Sequence, residues 1–202
     1  NIRQINMGGS NPAVNTIDYV TITSTGNAVD FGDMLNAVGH GAACSSGHGG
    51  IDQDVIQRPS VTYMPGSGRM LHAAGQAPAD TQSIGIFHIP TLGNESDFGN
   101  LIAAIESPAG NSSHTRALYT GGDNPNTDVI ASVEMQSRGN AADFGNLTVA
   151  RRSSGGASNS TRGLTAAGYG GSKTNIIDYV TIATTGNAAD FGDCTQTNNG
   201  IC

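Results

Sequence analysis

Short apolar runs alternate with polar, turn-forming stretches along this chain, and the runs come back. "IDYVTI" (17–22), "IGIFHI" (84–89), "IASVEM" (130–135) and "IDYVTI" (177–182) are rich in β-branched and aromatic residues. They are bounded by Asn, Thr, Gly and Pro, the pattern of short buried strands between turns. No segment repeats apolar positions at the three- and four-residue spacing of a helix face, so the pattern predicts an all-β chain.

Each run leads into a Gly-Asn turn and then Asp-Phe-Gly: "TGNAVDFGD" (25–33), "LGNESDFGN" (92–100), "RGNAADFGN" (138–146) and "TGNAADFGD" (185–193). The phenylalanines Phe31, Phe98, Phe144 and Phe191 fall 67, 46 and 47 residues apart. The unit is therefore about 47 residues long, with an insertion of about 20 around residues 47–66. Arg3, Arg69, Arg116 and Arg162 keep step 28 or 29 residues before each phenylalanine, each opening a small-residue stretch.

A unit reads as a strand after the Arg, a turn-rich loop such as "GGDNPNT", the apolar strand, a tight turn, and a third strand or bend from Asp-Phe-Gly. "VARRSSGGASNS" (149–160) is expected to supply the outer part of its unit. Three or four short strands per unit is the pattern of a propeller blade. Four units predict a four-bladed β-propeller as a single domain, 1–202, with repeats at about 1–57, 58–110, 111–157 and 158–202. Residues 1–9 match the strand that would come next after the last unit. The N-terminal strand is therefore expected to close the last blade; between molecules the same exchange would make a head-to-tail polymer.

Composition narrows the reading further. The 29 glycines and the low charged fraction (12%) disfavour long helices, while 37% hydrophobic residues suffice for a core. A net charge of −7 with nine Lys and Arg leaves no basic stripe for phosphates, so nucleic acid is not an expected partner. No apolar run approaches the roughly 20 residues a membrane-spanning helix needs. The chain opens on Asn1 with no charged-then-apolar segment, which fits a mature form, a fragment or part of something longer.

The Gly-Gly stretches, polar turns and "NTIDYVTI"-type strands at this period resemble kelch-type propeller blades, with the Phe of Asp-Phe-Gly where kelch repeats usually place Trp. "NIIDYVTIATTGNAADFGD" and "STRGLTAAGYGG" are similar to strings that recur in tandem-repeat proteins of tailed phages of aquatic bacteria. That resemblance implies a virion or tail-fibre component with a structural or adhesive role, and no catalytic residue.

Several motifs carry candidate chemistry. Asp-Phe-Gly invites comparison with a kinase metal site, but four copies and a single lysine, Lys173, exclude it. Arg3, Arg69, Arg116 and Arg162, in step with Asp30, Asp97, Asp143 and Asp190, are expected to form repeated ion pairs that fix register. His40, Cys44 and His48 stand at steps of four and form a zinc or copper candidate that lacks a clear fourth ligand. The "DFGD" strings and "GGDNPNTD" (121–128) offer oxygens to Ca²⁺ without the spacing of a known loop; turn capping is the commoner use of such residues. Cys194 and Cys202 could close a terminal disulfide, which would suit an oxidising environment.

Three functions follow. The first is a non-enzymatic structural or adhesive propeller of a virion or other extracellular assembly, presenting loops to a partner or a cell-surface glycan. The second is a self-assembling extracellular filament subunit joined by strand exchange, and the third a secreted propeller enzyme acting on carbohydrate. No cofactor is expected.

Overall fold

The structure, a computed structural model, describes residues 3–10, 12–45, 68–76 and 78–200. Among them the chain is all-β, with fifteen strands and no helix. The strands form four antiparallel sheets that follow one another along the chain. The first holds β1 (Arg3–Met7), β2 (Thr16–Thr21) and β3 (Val29–Asp33). The second holds β4 (Ala42–Ser45), β5 (Arg69–Ala73), β6 (Thr81–His88) and β7 (Ser96–Ile105), in that order. The third holds β8 (Ala109–Ser112), β9 (Arg116–Thr120), β10 (Val129–Glu134) and β11 (Ala142–Asn146). The fourth holds β12 (Gly155–Ser158), β13 (Arg162–Tyr169), β14 (Lys173–Thr181) and β15 (Ala189–Asn198).

Asp-Phe-Gly is a β-bulge in every sheet. In the first, Ile17 pairs with Gly32 and Asp18 with Asp30, so Phe31 has no residue opposite it. The same skip isolates Phe98, Phe144 and Phe191 in the other three. A bulge re-aims one side chain and sharpens the local twist. Here it turns the phenylalanine against the face that meets the next sheet, and the first three are only 3% exposed.

Three apolar clusters hold the sheets, one at each successive interface. Ile17, Phe31 and Met34 of the first unit meet Phe87 and Ile89 of the second. Leu71, Ile84 and Phe98 meet Tyr119, Val133 and Met135 of the third, and Phe144 and Leu147 meet Val180 and Ile182 of the fourth. Each fully buried Ile, Leu or Phe contributes about 1.5–3 kcal/mol over leaving it in water.

Two expectations need correction. β1 does not close the last blade: it pairs with β2, Arg3 opposite Thr21 through Met7 opposite Ile17, and the fourth sheet already has four strands of its own. The physical reason is the small-residue strand that pairs with each following Arg strand, "AACS", "AGNS" or "GGAS". Residues 155–158 consequently belong to the fourth sheet rather than to the outer part of the third unit. Boundaries at 110/111 and 157/158 would cut β8 and β12 in two, and β4 places the start of the second unit before 58. The insertion around 47–66 lies outside the described residues.

No helix among the described residues is long and apolar enough to cross a membrane.

Candidate functional site

The residues that keep step through the repeats converge on the joints between sheets. At the first, the N–H of Gly93 donates to the carbonyl of Phe31 (3.0 Å) and that of Glu95 to Asp33 (2.7 Å). Asp33 N–H in turn donates to Asn94 Oδ1 at 3.0 Å. The second joint repeats this with Gly139 to Phe98 (3.0 Å), Ala141 to Asn100 (2.8 Å), and Asn100 to Asn140 Oδ1 (3.0 Å). In the third, Gly186 donates to Phe144 and Ala188 to Asn146, both at 2.8 Å, and Asn146 to Asn187 Oδ1 at 3.1 Å. The Gly-Asn turn of each unit is thus clipped onto the Asp-Phe-Gly bulge of the unit before it.

Contact at the clip is close. A Cβ on Gly32 would lie 2.6 Å from the carbonyl oxygen of Gly93, and one on Gly145 2.4 Å from that of Gly186. Those glycines also hold φ near +147°, a conformation side chains disfavour. Asp30, Asp143 and Asp190 set the bulge locally, each Oδ1 accepting the N–H of the glycine two residues on.

Two further contacts cross each joint. Arg3 Nη1 donates to the carbonyl of Ile89 (3.0 Å), Arg69 to Met135 (2.7 Å) and Arg116 to Ile182 (2.9 Å). The expected Arg–Asp pairing is therefore replaced. Three of the four arginines reach forward to a backbone oxygen of the next sheet, while three of the four aspartates fold back on their own bulges. Arg116 also pairs with an acid, Glu134 at 2.7 Å, on the neighbouring strand. A backbone ladder forms the second contact: Ser107 N–H donates to His40 O, Ser153 to Ser107, and Gly200 to Ser153. His40, Ser107, Ser153 and Gly200 all have φ between 52° and 68°.

Two residues of the His40, Cys44 and His48 candidate lie among the described residues, and each has other partners. His40 sits before β4 and serves the ladder through its carbonyl. Cys44 is buried, its Sγ directed at the carbonyls of Asn111 (3.3 Å) and Leu118 (3.7 Å). Burial pushes its thiol up to about 12, the opposite of what a thiolate ligand needs. His48 lies outside the described residues, and so does Cys202, the partner expected for Cys194. In "GGDNPNTD", Asp123 forms an ion pair with Arg152. Among the described residues no group of three or more His, Cys, Asp or Glu could hold a metal.

Two buried acids escaped the sequence reading. Asp178 is fully buried, 3.0 Å from Arg151, and accepts both the N–H and the hydroxyl of Thr148 across the third joint. Glu95 accepts the N–H of Leu35 at 2.9 Å across the first and approaches His72 Nδ1 at 3.5 Å. Leu35 and Thr148 stand at the same repeat position, so both acids do the same work from different places. A reciprocal exchange in unit two was the available signal. Gly85 stands where units one and four have Asp18 and Asp178, and Glu95 where the others have Ala28, Ala141 and Ala188. A Cβ on Gly85 would lie 1.9 Å from the Glu95 carboxyl, so the glycine makes room for it.

Tyr119 lies near Cys44 and Glu95; burial above all, then those neighbours, raises its hydroxyl well above the usual range. Beside this cluster a hollow of about 190 Å³ opens, with Ser10, His40 and His72 on its wall. A second, mostly apolar hollow of about 240 Å³ lies between Leu101, Ile105 and the loop carrying Pro125.

No family model matches the chain, and no curated protein matches it in sequence.

Proposed function

We propose that the chain is a non-enzymatic structural and adhesive module of an extracellular assembly, a phage virion being the setting its repeats resemble. Its four sheets are read as propeller-type blades, and the loops between their strands as the surface offered to a partner or a cell-surface glycan. One observation carries the reading. The residues in step through the repeats, including the Asp-Phe-Gly that looks catalytic, are committed to a joint made three times between successive sheets. Chemistry repeated at every interface is scaffold chemistry. The loops are left to vary, and surface loops on a rigid scaffold are where recognition concentrates.

A glycan array tests the reading, paired with product analysis of the same glycans in solution. Binding without release of any sugar product is expected. Turnover would refute the non-enzymatic assignment and favour the carbohydrate enzyme; absence of binding to every glycan would remove the glycan as the partner. Closing the four sheets into a propeller ring would require the fourth sheet to meet the first.

A further inference from the structure

Every joint has a forward face, bearing the Asp-Phe-Gly bulge, and a rear face, bearing the Gly-Asn turn and the "DYVTI" type of strand. Three forward faces are filled by three rear faces, which leaves one of each. On the fourth sheet Phe191 is 52% exposed, against 3% for Phe31, Phe98 and Phe144, and a Cβ on Gly192 would meet nothing within 4 Å. On the first sheet Ile22 is 64% exposed, whereas the residues at its repeat position, Ile89, Met135 and Ile182, are 6%, 0% and 0%.

The two open faces also match in detail. The rear face buried in the third joint is written "DYVTI" (178–182) and "TGNA" (185–188); the first sheet repeats both strings unchanged at 18–22 and 25–28. The forward face in that joint presents Phe144, Asn146 and Thr148, and the fourth sheet presents Phe191, Asp193 and Thr195 at the same positions. Thr148 bonds Asp178 there. Thr195 and Asp18 are the same pair, held apart on opposite ends of the stack.

We propose that the fourth sheet of one copy receives the first sheet of a second copy, reproducing the third joint between molecules. Such a contact is heterologous, so it propagates head to tail. It joins intact sheet faces and exchanges no strand. Gly26 would clip onto the carbonyl of Phe191, Asn27 would accept from Asp193 N–H, and Arg162 would donate to Ile22 O. The inference rests on the structural reading above.

Sedimentation velocity over a concentration series tests it with Ile22→Asp and Phe191→Asp, both exposed sites, folding being checked by circular dichroism. The unaltered chain is expected to grow through successive multiples of its own mass, and each variant alone to stay monomeric. Mixed in equal amounts, the variants should form a dimer and nothing larger, because one retains the forward face and the other the rear. Arg162→Ala and Asn27→Ala, milder changes, should each weaken association about fivefold to tenfold, the worth of one hydrogen bond. A chain that stays monomeric at all concentrations overturns the proposal, as ring closure within one copy would require. Association by either aspartate variant alone, or a mixture without dimer, also overturns it. Failure of this contact leaves the structural reading standing, since that reading falls only to glycan turnover or to internal joints that prove energetically empty.

Discussion

Replacing Gly145 by alanine, beside the same change at Gly192, isolates the energy of a joint. Both glycines occupy the last position of Asp-Phe-Gly and both have positive φ, +147° and +136°. Alanine at either site therefore meets a similar backbone strain, about 1–3 kcal/mol. Only Gly145 lies under a neighbour. Its Cβ would stand 2.4 Å from the carbonyl oxygen and 2.5 Å from the carbonyl carbon of Gly186, backbone atoms that no rotamer change can move aside. Overpacking of that kind costs about 1–3 kcal/mol. The shift also stretches the 2.8 Å bonds from Gly186 to Phe144 and from Ala188 to Asn146, each contributing about 1 kcal/mol.

Gly145→Ala should consequently lose about 2–4 kcal/mol more than Gly192→Ala, if the bonds are weakened rather than broken. At about 2–4 °C per kcal/mol for a chain of this size, the excess fall in Tm is on the order of 4–16 °C. Urea denaturation and calorimetry, run dilute enough to keep the chain monomeric, measure both. Equal losses at the two sites would refute the reasoning, because the neighbouring turn would then contribute nothing.

Three further outcomes follow from the same contacts. Asp178→Ala leaves Arg151 buried without its counter-charge and should cost about 3–5 kcal/mol by denaturant titration. Arg116→Ala removes a bond to Ile182 O and a pair with Glu134 and should cost about 1–2 kcal/mol, partial exposure discounting it; Arg162→Ala in the monomer removes its stacking over Tyr179 and should cost about 0.5–1 kcal/mol. Cys44 is raised from 9.0 to about 12 in the folded chain, so its neutral form is favoured there and its contribution is lost as pH climbs above 9. Between pH 7 and 10 the unaltered chain should lose about 1 kcal/mol that Cys44→Ala does not, and parallel pH profiles would contradict this.

The strand content and the unit were legible because their signals are local. A β-branched run of six residues and a Gly-Asn turn mean nearly the same thing wherever they occur. The remaining strand of each full sheet was not legible, and packing explains why. β4, β8 and β12 lie side by side so closely that a Cβ on Gly110 would be 2.7 Å from the Ala43 oxygen and one on Gly156 2.3 Å from the Gly110 oxygen. Only small residues fit there, and small residues read as loop. The register of Arg with Asp was real, but its meaning was hidden by the nature of the partners. Both serve the joint, and both bond to backbone, which carries no side-chain code. Glu95 and Asp178 show the complementary difficulty: one function moved ten positions within a unit, and only the third dimension shows that Leu35 and Thr148 are served alike.

That backbone character explains how units so different can stack in one series. Unit two has "IGIFHIPTLGNESDFGN" where unit four has "IDYVTIATTGNAADFGD", yet their clips have the same donors, acceptors and near-equal lengths. Common to all three joints are a Gly-Asn turn that presents two N–H groups and one amide oxygen, a bulge that presents two carbonyls and one N–H, and an arginine that reaches one more carbonyl. Apart from Glu95 and Asp178, whose carboxylates add contacts across the first and third joints, the faces need only be apolar and of suitable volume, and apolar swaps of similar volume cost little. A joint specified this sparsely does not distinguish a neighbour in the same chain from one in another copy. The first sheet, which repeats the rear face of the fourth, therefore carries what the open forward face lacks. Stability in such a stack is a sum of units and nearest-neighbour interfaces, so an interface between copies makes the same contacts as one within the chain and differs from it by the entropy lost when two molecules associate.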